Sequence, residues 1–134
     1  MNGILVDSNI LLDVFLDDPK WGTWSEEQLN IHAASNHLYI NPIIYTEISI
    51  GFSRIEDLEH TVTEGGFITL PIPKEALFLA GKIFLQYRKR EGTKRSPLPD
   101  FFIGAHAAVE DLPLLTRDEG RYRTYFPNVT LLGP

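Results

Sequence analysis

The sequence predicts an α/β fold, a single domain with a mostly parallel five-stranded sheet and helices on both faces. Short apolar runs of strand length alternate with longer stretches of helical period, as strand–helix–strand units require. The length of 134 residues is enough for one domain with a real core. A share of 43% hydrophobic and 22% charged residues is ordinary for a globular chain. No internal repeat, low-complexity segment or linker interrupts it.

The elements follow in order. Ile4-Leu5-Val6 is a branched apolar run, read as a buried strand. Asp7, Ser8 and Asn9 suit the start of a helix, which continues through Ile10-Leu11-Leu12 and Val14-Phe15-Leu16. Asp17-Asp18-Pro19 ends it, because proline disfavours helical geometry at the residue before it. Ser25 and Gln28 have capping-box spacing, with Trp24 and Leu29 placed for a hydrophobic staple, and that helix is expected to run to about Asn36. A second strand follows at His37-Leu38-Tyr39-Ile40. Asn41-Pro42 caps and opens a helix in which Ile43, Ile44, Glu47, Ile48 and Gly51 share one face.

Ser53 and Glu56 suggest a second capping box, opening an acidic helix around Leu58 and Val62 that Gly65-Gly66 ends. A third strand at 67–70 is stopped by Pro71 and Pro73. A long helix over 74–90 carries Leu77, Ala80, Gly81, Phe84 and Tyr87 on one side, with Gly92 as its stop. Pro99 and Asp100 open an apolar helix to Val109, whose Gly104, Ala105, Ala107 and Ala108 suit close packing. His106 within it reads as a packed residue. Strands at 112–116 and 129–132 complete the sheet.

Composition excludes several classes. With no cysteine there are no disulfides and no thiolate zinc site. No stretch reaches the roughly 18 apolar residues of a membrane span. No basic region precedes Ile4, as a secretory signal would need, so a cytoplasmic location is expected. The net charge of −6 argues against a protein that coats nucleic acid, though not against one that uses it as substrate. Arg88, Lys89, Arg90, Lys94 and Arg95 place five of the twelve Lys and Arg within eight positions. The first three suit a helix C-terminus. Lys94 and Arg95 lie beyond the expected stop, which leaves them less explained and makes them candidate contacts for the phosphates of a nucleic-acid substrate.

Four acids stand out. Asp7 follows a buried strand directly, at the sheet edge where open α/β folds place their ligands. Asp118 repeats that pattern after 112–116. Glu47 interrupts an apolar helical stripe, where an unpaired charge is costly. Asp100 opens a helix that enters from the same edge. Each has a bland reading: Asp7 as a helix cap, Asp100 as an acid favoured by the helix dipole, Asp118 as a turn cap, and Glu47 as a side chain reaching water. Together they form an all-oxygen, hard-ligand set suited to Mg²⁺ or Mn²⁺ and to metal-assisted phosphodiester hydrolysis.

The motifs Ile4-Leu-Val-Asp7-Ser-Asn9, Tyr45-Thr-Glu47-Ile48, Pro99-Asp100 with its apolar helix, and Leu115-Thr116-Arg-Asp118 resemble those of PIN-domain ribonucleases. Length and spacing are most similar to the VapC-like toxins of type II toxin–antitoxin pairs. The resemblance covers essentially the whole chain and implies one PIN-like domain over 1–134. It implies a Mg²⁺- or Mn²⁺-dependent endoribonuclease whose acidic quartet, Asp7, Glu47, Asp100 and Asp118, binds metal and positions the attacking water. Asn9 and Thr116 match polar residues that support the quartet. The implied partners are an RNA substrate and a small antitoxin protein, with a homodimer expected and no membrane. Trp21, Trp24 and Phe52 are candidate apolar anchors for such a partner.

Other readings are set against this one. A phosphorelay receiver needs an acceptor Asp ending strand three, where this chain has Leu70-Pro71-Ile72-Pro73. A haloacid-dehalogenase-like phosphatase needs Asp-x-Asp where Asp7-Ser8-Asn9 stands. There is neither a Walker phosphate loop nor a nucleophile elbow. The remaining alternative is a catalytically idle PIN-like module that binds RNA or protein.

Overall fold

The computed structural model describes residues 3–90, 93 and 98–134. The first apolar run forms β1 (Gly3–Val6), buried along its whole length. Asp7 then caps α1 (Ser8–Phe15). There follow α2 (Gly22–Ala33), β2 (His37–Ile40), α3 (Pro42–Ile48) with a 3-10 turn at Ser49–Gly51, and α4 (Ile55–Glu64). The second half comprises β3 (Phe67–Thr69), α5 (Lys74–Arg90), α6 (Pro99–Val109), β4 (Leu114–Leu115), α7 (Gly120–Tyr125) and β5 (Leu131–Leu132).

The five strands form one sheet in the order β3-β2-β1-β4-β5, and every pairing is parallel. Register pairs Leu5 with Tyr39 on one side of β1 and with Leu114 on the other. The chain steps outward from β1 to β2 to β3, then crosses back to β4 and β5. Right-handed crossovers therefore place α1 to α4 on one face and α5 to α7 on the other. The strand order reverses between β1 and β4, so the crevice where open sheets bind ligands lies at their carboxyl ends. Asp7 follows β1 there, and its N–H donates to the Leu115 carbonyl at 2.9 Å.

The core is built from the strands and the inward helical faces, with Leu5, Val6, Ile40, Ile44, Phe101 and Leu115 fully buried. The small residues of α6 admit a close neighbour: a Cβ at Gly104 would collide with the Phe126 ring. His106 is buried, as expected of a packed residue, with Nδ1 3.0 Å from Asn41 Nδ2. Asn41 holds its own helix as well, its Oδ1 accepting the Ile44 N–H at 2.9 Å. Since the Asn41 amide donates, the His106 ring proton belongs on Nε2, and burial lowers the imidazole pKa.

Neither expected capping box forms. α2 begins at Gly22, three residues before Ser25, and Ser25 is buried with its hydroxyl on Asp13. α4 is capped by Arg54 without a side-chain cap bond, while Arg54 Nε reaches Glu56 at 3.2 Å. The last two strands are also shorter than their apolar runs, because pairing with neighbours, and not hydrophobicity, sets strand length. Trp24 and Phe52 are part-buried against the core, and Trp21 packs edge-on to Trp24. Among the described residues no helix is long and apolar enough to cross a membrane.

Candidate active site

Asp7 leaves the end of β1 in an extended conformation and turns the chain into α1. Its Oδ1 accepts the Ser8 N–H at 2.8 Å, the ordinary work of a cap. Its Oδ2 accepts two hydroxyls, Thr116 Oγ1 at 2.9 Å and Tyr122 at 3.0 Å. Thr116 stands just past β4 and is itself buried. Its Oγ1 also lies 3.2 Å from Asn9 Nδ2 and receives the Asp118 N–H at 3.1 Å. Asn9 and Thr116 thus support the Asp7 carboxylate.

Asp7 is 3% exposed. Burial raises its pKa to about 6, opposed by the Thr116 and Tyr122 hydroxyls and the Ser8 N–H and reinforced by the charge of Asp100. Asp100 lies in the first turn of α6. Its Oδ1 is 3.3 Å from the Tyr122 hydroxyl, and its Oδ2 accepts from Arg121 Nη1 at 3.2 Å. A phenol has one proton to give, and the shorter contact to Asp7 is its better bond.

Glu47 enters from α3. Its Oε1 accepts the Ser8 hydroxyl at 2.8 Å. Half-burial raises its pKa, with Asp100 adding to the effect. Tyr122 is 1% exposed, and its pKa is raised well above the usual value by burial and then by the charges of Asp7, Asp100 and Glu47. Three carboxylates from three elements therefore act electrostatically on one buried hydroxyl.

Asp118 stands apart. It is exposed, and its charge acts on Arg117 instead of on the other acids. Its link to the site runs through its N–H and Thr116. Lys94 and Arg95 lie outside the described residues.

Among the described residues, no three Asp, Glu or His side chains gather closely enough to hold a metal ion. Donors stand between the carboxylates instead: the Tyr122 hydroxyl spans Asp7 and Asp100, and Arg121 balances Asp100. The donor chemistry still fits a hard divalent cation. Asp7, Glu47 and Asp100 offer only oxygen, and burial and mutual repulsion raise the proton affinity of two of them, a cost that a cation offsets.

Sequence patterns indicated the acids and, with Asn9 and Thr116, some of their donors, but not Tyr122, Arg121 or the Ser8 hydroxyl. Arg121 and Tyr122 lie 21 and 22 residues from Asp100 in a helix of six residues, too short to show a period. Ser8 was legible only as a helix-start residue, while its hydroxyl serves Glu47. Asp13 gave no signal beyond a polar position in α1, yet it is as buried as Asp7 and takes a two-pronged bond from Arg117 at 2.7 and 2.9 Å.

A parallel sheet of this order, with a buried carboxylate at the switch point of its central strands, defines a small α/β domain with Asp7 at the edge where such folds bind ligands. The PIN domain family model matches residues 4–127, and the chain belongs to that family. Solved structures share the fold at low identity. VapBC2 from Rickettsia felis bound to a promoter DNA fragment is 17% identical over 98% of each chain, with a TM-score of 0.75. A toxin–antitoxin complex from Klebsiella pneumoniae is 23% identical over 96% of each chain, with a TM-score of 0.69. FitAcB from Neisseria gonorrhoeae is 20% identical over 98% of this chain and 97% of its own, with a TM-score of 0.65. Comparison with curated protein sequences gives no match.

Proposed function

We propose that the protein is a metal-dependent endoribonuclease, the VapC-like toxin of a toxin–antitoxin pair, acting in the cytoplasm as a homodimer. Membership of the PIN family supports nuclease chemistry. The toxin–antitoxin complexes among the structures that share its fold support a small antitoxin as the partner. The observation that carries the reading is that the Tyr122 hydroxyl bridges Asp7 and Asp100 while the Ser8 hydroxyl lies between Asp7 and Glu47, at the carboxyl end of the central strands.

Asp7, Glu47 and Asp100 would hold Mg²⁺ or Mn²⁺, with Asp118 joining from the rim. The ion would supply Lewis-acid stabilisation of charge on the phosphate and favour ionisation of the attacking water. The chain's own residues do the rest. Thr116 and Ser8 fix the two oxygens of Asp7, and Asn9 holds Thr116 in place. Glu47, oriented by Ser8 and raised in proton affinity by burial, accepts the proton of the water that attacks phosphorus. The phosphodiester P–O bond breaks, and the leaving oxygen takes a proton from solvent. Lys94 and Arg95 serve as contacts to flanking RNA phosphates.

Labelled single-stranded RNA incubated with Mn²⁺, with chelator, and with the Asp7→Asn protein tests the reading. Cleavage should require both the ion and Asp7. Equal degradation by wild type and variant would trace the signal to contamination. RNA binding with no cleavage under any metal would leave the idle binding module.

A further inference from the structure

Arg121 occupies the first turn of α7, where a helix dipole disfavours a cation, so its own helix does not account for it. The side chain is 40% exposed and makes one contact of 3.2 Å with Asp100. An exposed pair of that kind adds little stability. The guanidinium has five N–H donors, and one of them reaches Asp100.

Its setting is aromatic. The Arg121 guanidinium lies 6.0 Å from the Tyr87 ring centroid and 5.9 Å from that of Phe101. Tyr87 meets Tyr125 edge-on at 6.3 Å, and the Arg90 guanidinium lies 5.6 Å from the Tyr125 ring. Two arginines thus bracket two half-buried tyrosines, and the row ends at the Asp100 carboxylate. The rings come from α5 and α7, which share one face of the sheet, so the row is a continuous surface feature.

Guanidinium groups interleaved with aromatic rings suit a single-stranded nucleic acid, whose phosphates pair with the cations while its bases lie against the rings. A duplex hides its bases, and an acidic peptide has none. We infer that Arg90, Tyr125, Tyr87 and Arg121 form the track for a single-stranded nucleic acid substrate, with Arg121 holding the phosphate next to the carboxylates. The inference rests on the nuclease reading of that site and gives its substrate an approach. It also gives Arg121 two anionic partners, Asp100 and the incoming phosphate.

Binding of a fluorescent single-stranded RNA oligonucleotide, measured by anisotropy in chelator across a salt series, tests the track without turnover. Arg121→Ala should weaken binding about tenfold and lower the salt slope by about one. Arg121→Lys should recover part of the affinity and the whole slope. Arg90→Ala should weaken binding less, since a cation at the end of α5 is also favoured by that helix. Asp100→Asn should tighten binding, because a like charge is removed and Arg121 loses its competing partner. Thermal melts of each variant check that the fold is intact.

Unchanged affinity and slope in a folded Arg121→Ala protein would return Arg121 to a counter-ion of Asp100 and overturn the track. So would competition by duplex RNA or polyglutamate as effective as that by single-stranded RNA, which marks a general anion patch. The parallel cleavage assay keeps the two ideas apart. Cleavage by wild type with no Arg121 effect removes the track alone, whereas Arg121-dependent binding with no cleavage removes the nuclease reading alone.

Discussion

Asp7 and Asp13 lie six positions apart, at the cap and in the body of α1, and each is 3% exposed. Their partners differ completely. Asp13 accepts Arg117 Nε and Nη2 at 2.7 and 2.9 Å and the Ser25 hydroxyl at 2.7 Å, so a cation and three donors meet its charge. Asp7 has hydroxyls, a backbone N–H and a neighbouring negative charge. Equal burial therefore gives a settled ion pair in one place and an unsettled carboxylate in the other. An acid buried without a cation, beside a second acid, has the kind of raised pKa that functional sites concentrate, which supports the metal site proposed above.

The largest expected effect falls on the settled pair. Arg117→Ala leaves Asp13 buried with one hydroxyl, and unfolding by urea should show a loss of about 3 kcal/mol. Arg117 also spans from the β4 side to α1, so part of the loss is that clasp. Adding Mn²⁺ should not recover it. A loss under about 1 kcal/mol would erase the contrast between the two aspartates.

Asp7→Asn should act in the opposite direction. In metal-free wild type the Asp7 pKa stands at about 6 against the ordinary aspartate value of 3.8, so the folded state binds the extra proton between those values. Its contribution is therefore most favourable below about pH 4 and is lost as pH rises through about 6. The ceiling is about 3 kcal/mol, and less is expected of the variant because an amide nitrogen cannot accept from Thr116 and Tyr122. In chelator at pH 7 the variant should melt higher than wild type, with a flatter profile between pH 4 and 6, and lose cleavage. A variant that melts lower in chelator would mean that the hydroxyl bonds outweigh the buried charge.

The contrast also marks the limit of what sequence could show. β1 and Asp7 were legible because a branched apolar run ending in an acid has one economical reading in an α/β chain. The parallel sheet followed from the alternation of runs. α5 spans the expected 74–90, but it buries Ala76, Ala80 and Ile83 while Leu77 and Gly81 of the expected face are exposed, and its expected stop Gly92 lies outside the described residues. Ser25 misled because its spacing to Gln28 fits a cap, whereas its hydroxyl serves a buried acid twelve residues earlier. Arg117 finds Asp13 across 104 positions, and Tyr122 finds Asp7 across 115. Pairings of that reach leave no local pattern, so the acids could be picked out, and Thr116 with them through the family motif, while Tyr122 and Arg117 could not.

Glu47 is a smaller case of the same kind, half-buried and held by Ser8. Glu47→Gln should change stability by under about 1 kcal/mol, since the amide oxygen can still accept the Ser8 hydroxyl. Cleavage should nevertheless fall at least a hundredfold if Glu47 takes the water's proton, within the range for loss of a general base. Activity close to wild type would reduce Glu47 to a packing residue.

Asp118 carries the smallest expected effect on stability and the sharpest question about membership. Sequence pattern ranks it with Asp7, an acid just past a buried strand. The structure leaves its carboxylate exposed and ties its backbone to Thr116, whose Oγ1 accepts the Asp118 N–H and lies within hydrogen-bond distance of the Asp118 carbonyl. In chelator Asp118→Asn should stay within about 0.5 kcal/mol of wild type, as exposed substitutions do. Metal makes the difference visible. An ion that binds only the folded protein stabilises it by about 2.7 kcal/mol at a hundredfold excess over its dissociation constant, so loss of a ligand appears as a smaller melting shift. If Asp118 closes on the ion from the rim, Asp118→Asn should reduce the Mn²⁺-induced shift while Asp7→Asn abolishes it. An unchanged shift with unchanged cleavage would place Asp118 with Asp13, among the acids that belong to the fold and not to the chemistry.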